Sequence, residues 1–455
     1  MKNIFSINPV ALRELRQLVR SKVVTVSLAV FPAILLVFTL LSTSNAMGDK
    51  PPVEIAFGDG LGEGPFITVA VITGLVACLG IPFYAAIKAI METKRNGTGL
   101  EFTTALTPAN IVGGRLAATA ILIGATVATA TPFFIFAYLL RGIPLDKVFL
   151  VPLGLFAYGL SIFAASLSVA YRPGPVALRI IITVLLSCFA FVFTGTSLIG
   201  LSIAGGSEAP SAIKTAACVV VSLATVLVFF RAYCASLLAP PHVDGERPFR
   251  RVVFALFLIS SPLAFYKFEP WSITWMTISG VLLLQSALSP RDIPRAARGA
   301  APRGFLRRLF AFPFTTGAVP GMLFALLTMV ASGAVYTLLK TDTDDIAGFW
   351  ALIAELTFAP ILVGSILRRI KAHPRVYRIA GWIMIGLFIF ISISSSIARA
   401  GSGGRHSAEM VPCNISGINE DPVGHFRTYG IILLAWSLII IVASSVSAFR
   451  RYRRQ

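Results

Sequence analysis

The sequence predicts an all-α integral membrane protein whose N- and C-termini are both cytoplasmic. Hydrophobic residues make up 56% of the 455-residue chain and charged residues only 13%, whereas soluble domains average roughly 25% charged residues. Apolar stretches near the roughly 20 residues that cross a bilayer as a helix recur along the whole chain. Lys and Arg are concentrated in alternate connections between these stretches, which indicates a multi-pass topology.

The apolar stretches predict about twelve spans. In chain order they are Val23–Leu41, Phe66–Ile90, Leu116–Leu140, Val148–Ala170, Ile180–Ile203, Ile213–Phe230, Val252–Phe265, Trp271–Ser289, Val319–Leu339, Ala347–Leu367, Ile379–Ile397 and Tyr429–Ala448. Val252–Phe265 is the shortest of them. We therefore place the protein in the cell (inner) membrane.

The net charge of +19 raises the question of a nucleic-acid partner, and the distribution of charge answers it. With cytoplasmic termini, most basic residues fall in inner loops and most acids in outer loops, as the positive-inside rule requires. The basic residues are scattered over short loops that face anionic headgroups. We expect the lipid bilayer, and no nucleic acid, as the partner of this charge.

The chain begins with a basic, amphipathic segment before the first span. Asn8–Arg20 reads NPVALRELRQLVR, and Asn8-Pro9 is a suitable helix start. We predict an interfacial helix; a cytosolic juxtamembrane helix without a special role is the alternative. The segment and Val23–Leu41 also mimic a secretory signal, but both parts are long for one, which favours an uncleaved span.

A second amphipathic segment lies at Arg303–Phe310, within the Arg-, Ala-, Pro- and Gly-rich interval Pro290–Gly317. Phe305, Leu306, Leu309 and Phe310 share one helical arc, and Arg303, Arg307 and Arg308 occupy the other. The order of elements that follows resembles the start of the chain, which is consistent either with a diverged internal repeat or with alternating topology alone. The chain divides into two bundles either near residue 240 or near residue 300.

The most polar connection between two early spans is Met91–Leu116, METKRNGTGLEFTTALTPANIVGGRL. Gly97 and Gly99 allow a turn, and Thr107 can cap a helix that has Pro108 at its first position. Gly113-Gly114 permits close packing at the membrane surface. The segment is predicted to form a short helix or helical turn along the membrane, suited to docking a soluble partner; an ordinary polar loop is the alternative.

This connection resembles the first cytoplasmic loop of ABC-2 type ABC transporter permeases. The matching residues are Glu92, Lys94, Arg95, Gly97, Thr98, Glu101, Leu106, Thr107, Pro108, Ile111, Val112, Gly114 and Arg115. The Arg-Glu-Leu-Arg core of the first segment, formed by Arg13, Glu14, Leu15 and Arg16, is similar to the elbow helix of that family. Both matches lie in about the first 120 residues. Arg115 replaces a more usual Lys, Gly99 is inserted, and about twelve spans replace the family's six.

The resemblance implies a permease subunit that moves an unknown substrate outward. Its loop would be a coupling helix seated in a separate ABC ATP-binding subunit, and residues 1–240 would form the ABC-2-like bundle, with residues 241–455 as a second bundle. ATP would be bound by the partner and no cofactor by this chain. The extra spans leave open whether two copies pair, a second permease joins, or one chain supplies both halves of the pathway.

The sequence contains no motif of its own for catalysis or for binding nucleotides or metals. It has no G-x-x-x-x-G-K-[ST] loop to cradle phosphates, and its four histidines are dispersed in loops. Its five cysteines show neither a disulfide framework nor metal-ligand spacing. We therefore expect that the chain is not an enzyme and holds no metal.

Glu355 is the single acid placed deep within a predicted span, where a charge is costly. It can act in a proton or cation relay, or it can be a structural acid hydrogen-bonded to hydroxyls such as those of Thr357 or Ser365. The alternatives to a permease are accordingly a proton- or cation-coupled secondary transporter and a membrane scaffold that transports nothing.

Overall fold

The computed structural model confirms the predicted all-α class in the part of the chain that it describes. That part comprises residues 8–48, 61–96, 107–188, 209–239, 245–265, 268–287, 305–339, 343–370 and 431–453, with a few positions between 373 and 384. Six of its helices are long and apolar enough to cross a membrane, namely Val24–Asn45, Glu63–Thr93, Pro108–Leu139, Leu145–Tyr171, Cys218–Leu238 and Ala318–Leu339. The total of about twelve spans and the cytoplasmic termini stay predictions.

The chain folds into two compact units. The first contains Met1–Arg172 and Arg179–Leu238, and the second contains Pro173–Leu178 and Ala239–Gln455. It remains a prediction that residues 1–240 and 241–455 form two membrane bundles and that the first of them is ABC-2-like.

The first unit is built from long apolar helices that follow a short amphipathic one. They are α1 (Pro9–Arg20), α2 (Lys22–Gly48), α3 (Glu63–Gly74), α4 (Ile81–Asn96), α5 (Pro108–Leu139), α6 (Leu145–Tyr171), the part of α7 (Val176–Cys188) from Arg179 onward, and α8 (Ala209–Leu238). A π-helical segment, Leu75–Gly80, joins α3 to α4 so that the two form one continuous span. The helix extends beyond the predicted span Phe66–Ile90, because α4 continues to Asn96.

Large apolar side chains and close backbone approaches hold these helices together. Phe66 and Phe134 pack edge to face with ring centroids 5.3 Å apart, and Leu35 is fully buried beside them in the same core. A Cβ at Gly159 would lie 2.6 Å from the carbonyl oxygen of Ala77. Glycine at that position therefore lets α6 pack directly on the π-helical backbone.

The second unit contains a further set of helices. They are α9 (Glu246–Ser260), α10 (Phe268–Ala287), α11 (Phe305–Ala311), α12 (Ala318–Leu339), α13 (Thr343–Arg369) and α14 (Ile431–Arg453). Short 3-10 helices follow α9, at Ser261–Phe265, and α11, at Phe312–Phe314. The predicted span Val252–Phe265 thus overlaps with α9, a helix of 15 residues that begins earlier, at Glu246, and ends at Ser260.

A buried arginine organises the connection between α11 and α12. Arg250 is only 4% exposed, and its guanidinium donates to the carbonyl oxygens of Pro313 (3.1 Å), Thr315 and Gly317 (3.0 Å). Glu246, one turn earlier on α9, accepts from Arg250 at 2.9 Å and from the amide of Gly317 at 3.2 Å. Gly317 has φ of 132°, a backbone conformation that favours glycine. We call Arg250 and Glu246 the arginine hub.

Candidate functional site

The amphipathic helix α1 packs against the beginning of α5. Asn8 caps α1 by accepting from the amide of Val10 at 3.0 Å, and Pro9 occupies the first turn, which confirms the predicted start. The Asn8 side-chain amide also donates to the carbonyl of Asn110 at 2.6 Å. A Cβ at Gly114 would approach Val10 Cβ to 2.6 Å. The close packing predicted for the glycine pair is therefore confirmed at Gly114, and α1 is its partner.

An acidic side chain lies on the inner face of α1. Ala11, Glu14 and Leu18 are its buried residues, at the three- and four-residue spacing of one helix face. Leu12 and Val19 are instead exposed. A carboxylate that enters a packed face is costly unless it is paired, so its surroundings define the site.

Four charged side chains from three elements meet there: Glu14 on α1, Lys88 and Glu92 on α4, and Arg115 on α5. The Lys88 ammonium donates to Glu14 at 2.8 Å, and the Arg115 guanidinium donates to Glu92 at 3.0 Å. Two weaker pairs complete the set, Arg115 with Glu14 at 3.8 Å and Lys88 with Glu92 at 4.0 Å. We call these four residues the charge cluster.

The charge cluster is electrically balanced and mostly withdrawn from water. It contains two acids and two bases, and the Arg115 and Glu14 side chains are 7% and 10% exposed, against 23% for Glu92 and 25% for Lys88. The Arg115 guanidinium also lies over the ring of Tyr171, 5.6 Å from its centroid. Because interior ion pairs are screened less than surface pairs, the cluster links α1, α4 and α5 strongly.

The residues that open α5 adopt the predicted cap. The Thr107 side chain accepts from the amide of Asn110, with Pro108 in the first turn. This confirms the helix start read from Thr107-Pro108. The polar connection is accordingly shorter than Met91–Leu116, because helix occupies it up to Asn96 and again from Pro108.

The other predicted residues are placed as follows. Glu92, Lys94 and Arg95 belong to the last turns of α4, so they continue that helix and do not form a separate surface helix; the side chains of Lys94 and Arg95 lie outside the described residues. Gly97, Thr98 and Glu101 lie outside them altogether. On α1, Arg13 and Arg16 are exposed and Leu15 is half-buried. Of the predicted residues, the structure thus brings together Glu14, Glu92 and Arg115.

Lys88 is the member of the site that sequence reasoning missed. It lies inside the apolar run that ends at Ile90, where a single basic residue near the end of a span gives no indication of a functional role. Its four-residue spacing from Glu92 was the available signal, since residues so spaced are neighbours on a helix. The contact with Glu14, 74 residues away in sequence, had no sequence signal.

Elsewhere in the described part of the chain, no group of three or more His, Cys, Asp or Glu side chains could hold a metal. Glu355 lies on α13, within Thr343–Arg369, and its side chain is outside the described residues. Ser365, named above as a hydroxyl partner for it, donates to the carbonyl of Leu362 at 2.8 Å.

Comparison with known proteins gives no match to a family model, to a curated protein or to a solved structure.

Proposed function

We propose that this chain is the transmembrane permease subunit of an ABC-type exporter of the ABC-2 class, driven by ATP hydrolysis on a separate subunit. The observation that carries the proposal is the charge cluster. It joins the amphipathic helix α1 to both helices that flank the connection 97–106, which lies within the stretch Glu92–Arg115 that resembles a coupling loop. A push on that connection would therefore move three elements together.

The cluster suits the transmission of force better than substrate binding. Its charges are satisfied by one another, so it offers little net charge to a ligand. Its two shorter pairs, Lys88 with Glu14 at 2.8 Å and Arg115 with Glu92 at 3.0 Å, are also partly buried, which makes them costly to separate. From the cluster, α5 runs as one helix to Leu139, so a tilt imposed at Arg115 would be delivered at its far end.

The remaining parts of the proposal follow from the sequence. The chain would span the cytoplasmic membrane about twelve times, with its termini and the Glu92–Arg115 region on the cytoplasmic side. Glu101, Lys94 and Arg95 would contact the ATP-binding subunit, and ATP would stay on that partner. A second copy or a second permease would join if one chain does not enclose the pathway by itself.

Docking is tested by purifying the tagged chain from its native membranes and measuring ATP hydrolysis and any co-purified protein that carries a phosphate-binding loop. Glu101→Lys should remove that protein and the hydrolysis. The matched control is Glu63→Lys, the same charge reversal on an exposed residue at the other end of the α3–α4 span, which should retain both. Equal recovery from wild type and Glu101→Lys would refute docking at this connection.

Transmission is tested separately, on the complex. With Cys188 and Cys413 replaced by Ser, a cysteine introduced at Leu139, which is 70% exposed, should change its alkylation rate when ATP is added. Arg115→Met should abolish this change while the ATP-binding subunit still co-purifies. An unaltered ATP response in Arg115→Met would remove the charge cluster from the mechanism.

A further inference from the structure

Helix α11 presents large apolar side chains to its surroundings. Leu306, Leu309 and Phe310 are 66%, 46% and 74% exposed, and the three share one side of the helix. Scattered exposed apolar residues need no explanation, but a contiguous set beside charges marks an interaction surface.

The surface is held in place by the chain that follows it. Phe312 and Pro313 are buried, and the ring of Phe314 packs edge to face on Phe254 with centroids 5.6 Å apart. The arginine hub then binds the carbonyls of Pro313, Thr315 and Gly317. These contacts anchor the chain directly after the C-terminal end of α11.

The charged residues that flank this surface in the sequence are of one sign. Arg307 is exposed and Arg308 follows it in the sequence. Between Asp292 and Asp342 the sequence contains no acid, whereas Arg295, Arg298 and Arg303 precede the helix. The helix also ends at Ala311, close to the start of α12 at Ala318, which is one of the helices able to cross the membrane. The partner it fits is therefore apolar at depth and anionic at its surface.

We propose that α11 is an anionic-lipid docking surface: Leu306, Leu309 and Phe310 insert among acyl chains, and the exposed Arg307, with the positive charge that Arg308 adds to the segment, attracts lipid phosphates. Amphipathic helices bind membranes in this way, through apolar area and attraction to anionic headgroups together. The arginine hub holds the helix at the bilayer surface. This inference does not depend on an ATP-binding partner.

The test uses the full chain in nanodiscs of phosphatidylcholine with a minor fraction of phosphatidylglycerol. One of the two lipids carries a photoactivatable acyl chain, and adducts are located by tandem mass spectrometry. The measured quantity is the ratio of phosphatidylglycerol to phosphatidylcholine adducts, corrected for the abundance of each lipid. At 305–310 this ratio should exceed the ratio at Ile259 by about fivefold, because one basic residue near an anionic surface gains about that factor in binding. Ile259, 75% exposed on α9, reports apolar contact without the paired arginines.

Arg307→Gln with Arg308→Gln should lower the ratio at 305–310 to that at Ile259 while phosphatidylcholine adducts persist. The charge-preserving Lys pair should keep the wild-type ratio, and Arg369→Gln, an exposed arginine at the end of α13, should leave it unchanged. Thermal unfolding of each variant identifies any that fail to fold. Absence of adducts at 305–310, or a ratio equal to that at Ile259 in the wild type, would overturn the proposal.

Discussion

The two units each bury an arginine at a point where helices meet, but they satisfy it differently. In the charge cluster, Arg115 binds the side chains of Glu92 and Glu14. In the arginine hub, Arg250 binds three backbone carbonyls and one carboxylate, that of Glu246. One arginine therefore ties helices together through exchangeable side chains, whereas the other shapes a backbone turn.

The difference bears on what each site can do. A pair of side chains can stay joined while its helices tilt, because each partner has rotatable bonds. A guanidinium that donates to several backbone carbonyls loses these hydrogen bonds when the turn changes shape. Such an arrangement favours a static role. The charge cluster is accordingly the candidate for a moving part, and the arginine hub for a fixed one.

Arg250→Met should give the largest loss of stability, about 3–5 kcal/mol in the free energy of unfolding, since it leaves Glu246 without its buried partner and the carbonyls without their donor. Arg250→Lys should recover only part of this loss, because one ammonium cannot replace a planar fork of donors. Unfolding of the purified variants in mixed micelles measures the loss of stability in each of them. Arg251→Met, on the exposed neighbouring residue, is the control. Full recovery by Lys would show that charge, and not fork geometry, is what the hub needs.

Arg115→Met should cost less, about 2–3 kcal/mol, because Lys88 remains to pair with the two acids. Here the partners are side chains, so exchanging them in Arg115→Glu with Glu92→Arg should restore part of the loss. The same micelle unfolding of both single variants and the double variant gives the coupling free energy, about 0.5–3 kcal/mol for residues in contact. Strict additivity would mean that the two residues do not interact and would remove the contrast with the hub.

The sequence predicted the parts of these sites that depend on local patterns. The Thr107-Pro108 and Asn8-Pro9 helix starts are local, because a cap is formed by a side chain and an amide two or three residues away. The burial of Glu14 was not predictable in this way. It depends on a lysine and an arginine that are distant in sequence, and composition gives no register for such contacts.

The arginine hub was missed for the same reason. Its carbonyl acceptors are carried by every residue type, so neither Arg250 nor residues 313–317 has a distinctive pattern. The ends of the helices do not follow from hydropathy either, because hydropathy depends on the side chains while the backbone hydrogen bonds of α4 continue through charged residues to Asn96. Hydropathy thus fixed which segments are apolar better than where their helices end.

Gly114→Leu tests whether the charge cluster needs the close approach of α1. The new side chain would collide with Val10, so α1 must move outward and carry Glu14 away, at about 1–2 kcal/mol. Gly154→Ala is the matched control in the same unit, since nothing lies within 4 Å of a Cβ there; it should be neutral or stabilising by up to about 1 kcal/mol from helix propensity. The free energies of unfolding of the two variants in mixed micelles are compared with that of the wild type. An equal effect of the two substitutions would contradict the packing of α1 on Gly114.

The smallest effect is expected at Thr107, the N-cap of the helix α5 that carries Arg115. Thr107→Ala removes the oxygen that accepts the amide of Asn110 at 3.3 Å and should cost about 1 kcal/mol, whereas Thr107→Ser should retain the cap. Hydrogen exchange of the first turn of α5 should then become about fivefold faster in the Ala variant only. The arginine hub supplies the contrast, because α9 begins at Glu246 and its N-cap residue, Gly245, has no side chain to form a capping hydrogen bond. Gly245→Ala should therefore leave exchange in the first turn of α9 nearly unchanged. If Thr107→Ala also leaves exchange in the first turn of α5 unchanged, the N-terminal end of α5 is held by its tertiary contacts with α1 and not by its cap.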